Sequence, residues 1–304
     1  MKKFIFYTVI FLVAVVVIDF GFGMSCDYMT TRAKGGSTKY LTDLTQKDSY
    51  DILIMGSSKA HHNYIPQTFN DSLGLTCYNA GYDGNGIILA YGILSMMNDD
   101  CLPLLVIYDV KQQFDVYHYS GDGDYTRYYQ LLKPFYKHPE VAGIIKSISR
   151  WDLIKFHSGL VRYNGVLYNT ISNYLYDSDE NFNYGYVPVK GMLVDDVAQE
   201  RDYTLEIDTL KIAYFKHFIE LTKKKNIRLL IVLSPEYNSN ELYDFQPIFN
   251  LCSEEAIPII DYYNNSNFQE KELFKDHCHL NENGARFFTE TMVGEIQRMV
   301  KLSH

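Results

Sequence analysis

Asp51-Ile-Leu-Ile-Met-Gly-Ser-Ser58 carries four consecutive apolar residues between an aspartate and a glycine. So short an unbroken apolar run, closed by a turn residue, predicts a strand buried on both faces, as in a parallel sheet. Gly56 permits a sharp turn, and the two serines after it would sit at the strand's carboxyl end. Four further runs read the same way: Leu75–Asn79, Leu104–Tyr108, Ile227–Leu233 (stopped by Ser234-Pro235) and Ile257–Ile260. Helical patterns lie between and after them at Ile87–Met97, Leu205–Lys225 and Asn283–Lys301. Strands alternating with helices predict a three-layer α/β/α domain around a five-stranded, flavodoxin-like parallel sheet. Such sheets bind ligands at the carboxyl ends of their strands, where Ser58, Gly81, Asp109 and Ser234 fall.

Outside this frame stand the two flanks. Lys2-Lys3 precedes an apolar run from Phe4 to Ile18, and Asp19 is followed by Phe20-Gly-Phe-Gly23. Two cations before an apolar stretch predict a cytoplasmic N-terminus and an exported remainder. Residues 1–23 are therefore expected to be a signal anchor or transmembrane helix, close to the roughly 20 residues that cross a bilayer. A cleaved signal, or lipidation at Gly23-Met-Ser-Cys26, is the alternative. Residues 24–50 are polar and read as a linker, and 51–304 as one folded domain. Within that domain residues 112–200 break the alternation. They are Tyr-rich, with helices expected at 138–149 and 151–175, and read as a cap beside the site or as a plain helical hairpin packed on the sheet.

Composition narrows the function. The 304 residues are 47% hydrophobic, enough for a packed core, and the net charge of −9 comes without a basic run. Nucleic acid is thereby excluded as an expected partner, because neutralising many phosphates needs clustered Lys and Arg. The acidic stretch Asp177–Glu180 reads as a solvated loop. The 27 tyrosines against one tryptophan suit a sugar-binding cleft as well as ordinary packing. Cys26, Cys77, Cys101, Cys252 and Cys278 show no metal or haem spacing and read as unpaired thiols, with a Cys77–Cys101 bridge as the open alternative.

Chemistry concentrates in Phe274-Lys-Asp276-His277-Cys-His279-Leu280-Asn281-Glu-Asn-Gly284-Ala285. An aspartate three residues before a histidine can orient its imidazole, which then serves as base toward a hydroxyl from elsewhere in the chain. Chelation by Asp276, His277 and His279 is the competing reading, but the set is partial, and neither metal nor cofactor is expected. Lys59, His61 and His62 follow Ser58 and read as exposed polar residues of a helix start, with lining of the cleft as the alternative.

Strand-Gly-Ser-Ser58, Tyr78-Asn79-Ala80-Gly81 and Asp276-x-x-His279-Leu-Asn-x-x-Gly-Ala285 together resemble the SGNH/GDSL hydrolase superfamily, in its bacterial membrane-anchored, extracytoplasmic branch. The likeness covers about residues 50–110 and 205–300. It implies Ser58 as nucleophile, His279 as general base and acid, and Asp276 as the residue orienting it. It also implies an oxyanion hole built from the Ser58 and Gly81 N–H groups. The block that usually supplies an oxyanion-binding Asn reads Val106-Ile-Tyr-Asp109-Val110 here, so Asn85, Asn79 or a backbone N–H is the expected substitute. The implied protein is an inner-membrane-anchored, periplasmic esterase acting on O-acylated glycans or other esters. An O-acyltransferase with the same triad, or a non-catalytic glycan-binding envelope protein, is the alternative.

Overall fold

The structure, a computed structural model, describes residues 1–119, 125–177, 184–194, 203–238 and 245–302. Five parallel strands form the central sheet: β1 (Ile52–Gly56), β2 (Cys77–Asn79), β3 (Leu105–Asp109), β6 (Arg228–Leu233) and β7 (Ile259–Asp261). Their order is β2-β1-β3-β6-β7, the flavodoxin-like order in which the succession of strands reverses beside the first strand. In register, Ile54 pairs with Asn79 and Ile107, and Ile107 pairs with Leu230. Two short strands between β3 and β6, β4 (Tyr117–Tyr119) and β5 (Tyr203–Ile207), pair antiparallel outside this sheet.

Side-chain alternation along the strands builds a core on each face. Leu53, Met55, Val106, Tyr108, Leu229 and Ile231 join one core with α5 (Ile87–Met96), α11 (Thr209–Lys224) and α12 (Gln246–Glu255). Ile52, Ile54, Ile107, Leu230 and Val232 join the other with α3 (Ser58–Asn63), α4 (Pro66–Leu73) and the closing helix α13 (Glu282–Leu302). The five apolar runs are thus the five strands, each covered on both faces.

Three segments depart from expectation. Residues 24–50 are not an extended linker. Helix α1 runs from Lys2 to Thr31, and α2 (Gly36–Gln46) buries Leu41 and Leu44 in the first core. The helix expected from Leu205 begins at Thr209 instead. Asp208 caps it by accepting the Leu210 and Lys211 amides, and Tyr203–Ile207 is drawn into pairing with β4. After α6 (Gln112–Asp115) and α7 (Pro139–Ile148), the stretch 151–175 forms three short helices. These are α8 (Arg150–Lys155), α9 (Gly159–Arg162) and α10 (Leu167–Leu175). Ser158 caps α9, and Gly165, at φ +79°, turns the chain before α10. Several insertion tyrosines, among them Tyr128 and Tyr129, are buried packing residues. The five cysteines, all described, form no disulfide. Of the acidic stretch Asp177–Glu180, all but Asp177 lies outside the described residues.

Candidate active site

The turn after β1 is forced by packing. Gly56 has φ +143°, and a Cβ on it would sit 2.5 Å from the Asp109 carbonyl oxygen of the neighbouring strand. Ser57 is fully buried and caps α3 by accepting the Lys59 amide. Ser58 follows as the half-buried first residue of that helix, at the carboxyl edge of the sheet.

The segment that carries His279 is a knot of local hydrogen bonds. Asp276 Oδ1 accepts the backbone N–H of Cys278 and of His279, both at 2.9 Å. Asn281 caps α13 by accepting the Asn283 and Gly284 amides. Gly284 lies so close to the Leu273 carbonyl that a side chain there would collide with it. The spacing of the D-x-x-H-L-N-x-x-G motif is therefore the spacing of a closed turn. Asn63, the last residue of α3, accepts the Leu280 amide at 3.1 Å and so ties this turn to the helix that begins with Ser58.

His279 Nδ1 lies 2.9 Å from each carboxylate oxygen of Asp276, and its Nε2 lies 2.7 Å from Ser58 Oγ. Because a carboxylate only accepts, Nδ1 carries the proton and Nε2 is left to accept from the serine hydroxyl. Burial opposes ionisation of Asp276, but the hydrogen bond and charge of His279 and the two backbone donors outweigh it and hold the carboxyl at about 2. The Asp276 carboxylate is thus ionised at any ordinary pH.

Gly81 packs so tightly against α3 that a Cβ would strike the His61 amide. Its N–H donates to Asn79 Oδ1 at 2.9 Å, while Asn79 Nδ2 bonds the Ala60 and Tyr64 carbonyls. The Tyr78-Asn79-Ala80-Gly81 block therefore clamps the second loop onto α3. Asn85 Nδ2 donates to the Asp83 carbonyl at 3.2 Å, and its buried Oδ1 has no partner among the described residues. Asn85 also lines a cavity of about 420 Å³ between α1, α2 and the insertion. A second cavity, of about 310 Å³, reaches Gly81 and His61 and is walled by Tyr78, Tyr82, Leu89 and Ile93.

Lys59 is not an exposed helix-start residue; it is fully buried. Its Nζ donates to the Ser234 carbonyl at 2.9 Å and to Glu236 Oε1 at 3.0 Å. Lys111 donates to the same Glu236 oxygen at 2.8 Å and to Cys278 Sγ at 3.1 Å. These charges follow the ends of β1, β3 and β6; Lys59 adjoins Ser58 in the chain and Lys111 reaches Cys278, the neighbour of His279. Burial would raise the Glu236 pKa, but the two ammonium groups hold it down at about 2. Sequence reasoning missed Lys111 and Glu236 altogether.

His61 and His62 are half-buried and share Asp83, with His61 Nδ1 at 2.8 Å and His62 Nε2 at 3.3 Å from its Oδ1. The His62 ring meets the His279 ring edge-on, with centroids 5.6 Å apart. Burial works against protonation of His62, but the Asp83 and Val187 hydrogen bonds prevail and raise its pKa. Among the described residues His61, His62 and Asp83 are the one trio with metal-type ligand atoms, all within 4.8 Å of one another. His277 is not part of it; its ring faces Tyr237 at 5.8 Å.

No protein-family model matches the chain. No curated protein matches it either. Among solved structures it is similar to a candidate acylhydrolase from Bacteroides fragilis NCTC 9343, at 11% identity and a TM-score of 0.41, covering 87% of this chain and 94% of that one. A candidate lipolytic protein of the G-D-S-L family from Desulfitobacterium hafniense DCB-2 is similar at 10% identity and a TM-score of 0.40, covering 80% and 98%. A GDSL-like lipase from Bacteroides thetaiotaomicron VPI-5482 is similar at 10% identity and a TM-score of 0.43, covering 88% of this chain and 98% of that one.

Proposed function

We propose that this chain is a serine ester hydrolase, held to a membrane by α1, that removes acyl groups from glycans outside the cytoplasm. The reading rests on one observation above all: the series Ser58 Oγ, His279 Nε2, His279 Nδ1 and Asp276, linked at 2.7 and 2.9 Å. Serine has no useful nucleophilicity at its own pKa and needs such a neighbouring base. In this scheme Ser58 Oγ bonds to the ester carbonyl carbon while its proton passes to His279 Nε2. Asp276 stabilises the imidazolium formed. Collapse of the tetrahedral intermediate breaks the bond to the alcohol, which leaves with the His279 proton and leaves an acyl group on Ser58. Water repeats the sequence, giving a free acid and Ser58.

The Ser58 N–H and the Gly81 N–H are the proposed oxyanion donors, and the second must exchange its Asn79 acceptor for the substrate. A donor so engaged suits a site that completes itself only around a bound acyl group. The apolar cavity bordering Gly81 and His61 is the proposed room for a small acyl chain. Support for the membrane attachment is composition alone: α1 is the one helix among the described residues that is long and apolar enough to cross a bilayer.

Acetate release from O-acetylated polysaccharides tests the substrate class. The wild-type chain is expected to release acetate from polysaccharide at a rate proportional to enzyme. Turnover of simple aryl esters with no release from any acetylated glycan would sink the glycan assignment and leave the esterase.

A further inference from the structure

The anchor helix and the insertion meet at one height. Every residue from Met1 to Ile18 is exposed, and Asp19 is the first with cover. Asp19 Oδ1 accepts the Leu160 N–H at 2.7 Å and the Ser158 hydroxyl at 3.0 Å. One turn further on, a Cβ on Gly23 would lie 3.0 Å from the Gly159 Cα, so α1 and α9 touch backbone to backbone. Arg162 and Tyr163 then both bond Asp27 Oδ1, at 2.7 Å.

Helix rise fixes where this contact falls. A hydrocarbon core about 30 Å thick, entered at Lys3, ends near Gly23 at about 1.5 Å per residue. The docking site of α9, Asp19 to Gly23, therefore lies at the outer edge of that core. A carboxylate at such a depth is costly unless hydrogen-bonded, and α9 supplies those bonds to Asp19. Leu160, whose N–H reaches Asp19, must share its height.

Four outward side chains of α8 and α9 are apolar. Trp151 is 65% exposed, Ile154 56%, Leu160 52% and Val161 41%. Leu160 and Val161 stand on the helix that packs against α1, and Trp151 and Ile154 on the helix before it. Charge agrees with a lipid partner. Residues 125–176 hold seven Lys or Arg and two acidic residues; Arg162 is buried against Asp27 and Lys155 pairs with Asp152, while Lys146 and Arg150 are exposed. A basic surface carrying Trp and aliphatic side chains is the composition of an element that lies in a bilayer interface.

We propose that α8 and α9 are embedded in the outer leaflet, with a bilayer containing anionic headgroups as their partner. The catalytic domain is then held at a fixed height and tilt by two contacts rather than swinging on α1 alone. This rests on α1 as the membrane anchor, so the test must separate the two. Trp151 is the sole tryptophan, and its emission reports this surface alone. The full chain is reconstituted into vesicles of phosphatidylcholine and phosphatidylglycerol, with or without bromine on the upper acyl chain. The protein is expected to float with the vesicles, and bromine to cut Trp151 emission by about half or more, as for an indole buried about 5–10 Å deep. Flotation with emission unchanged by bromine overturns the embedded surface while leaving the anchor intact. Failure to float overturns the anchor reading and the proposal with it.

Discussion

Ser58→Ala is expected to lower kcat/KM for small aryl esters by about 10⁴-fold or more, equivalent to about 5 kcal/mol of transition-state stabilisation. The substitution removes the hydroxyl that lies 2.7 Å from His279 Nε2 and leaves Ser57, the buried cap of α3, in place. Fold and substrate affinity should therefore survive, and the loss should appear in kcat with KM little changed. Ser57 is the informative control. Its side chain accepts the Lys59 amide and is fully buried, so Ser57→Ala should cost stability of about 1 kcal/mol through the lost cap and should not remove turnover. Steady-state kinetics on both variants, with circular dichroism to establish folding, decide between the two serines.

Glu236→Ala is expected to destabilise the fold by about 3–5 kcal/mol. Glu236 Oε1 receives both Lys59 and Lys111, and both ammonium groups are buried. Removing the carboxylate strands two charges in a low-dielectric interior, the situation in which breaking a buried ion pair is most costly. A drop in Tm of about 10 °C follows for a domain of this size. Replacing Lys111 with Met in the Glu236→Ala background should recover part of the loss, because one of the stranded charges is gone.

The same carboxylate links stability to pH. Its folded pKa, about 2, lies below its ordinary value of 4.5. The group therefore stabilises the folded state at pH above that ordinary value, and the stabilisation is lost as pH falls toward 2. The difference corresponds to about 3 kcal/mol. Wild-type Tm should fall across this acid window by more than that of Glu236→Gln, which has no carboxylate to titrate.

These lysines also mark where sequence reading stops. Lys59 looks like an exposed polar residue because α3 is short and begins at a turn, and nothing within several residues offers it a partner. Its partners lie 175 and 177 positions away, and only the closing of β6 beside β3 brings them to it. The strands, by contrast, are legible because burial on both faces demands an unbroken apolar run, which is a local property. The D-x-x-H-L-N-x-x-G pattern is legible for a similar reason, since its spacing is set by hydrogen bonds within its own turn. Tyr203–Ile207 misleads because its residues carry on the period of the following helix, and only the distant Tyr117–Tyr119 strand claims them. Residues 24–50 look like a linker because a polar helix with few apolar positions still buries Leu41 and Leu44. The role of Asn79 was half visible. The sequence offers it as an oxyanion donor, whereas in the structure its amide holds α3 and occupies the Gly81 N–H.

The most direct test of the central claim is covalent. A fluorophosphonate reacts with a serine only where a base accepts its proton and the site holds the tetrahedral adduct. Treating the folded full chain with such a reagent and mapping the adduct by peptide mass spectrometry should place a single modification on Ser58, absent from Ser58→Ala and from His279→Ala. A well-folded wild-type chain that stays unmodified, or one that carries the adduct on another residue while Ser58 remains free, would contradict the account.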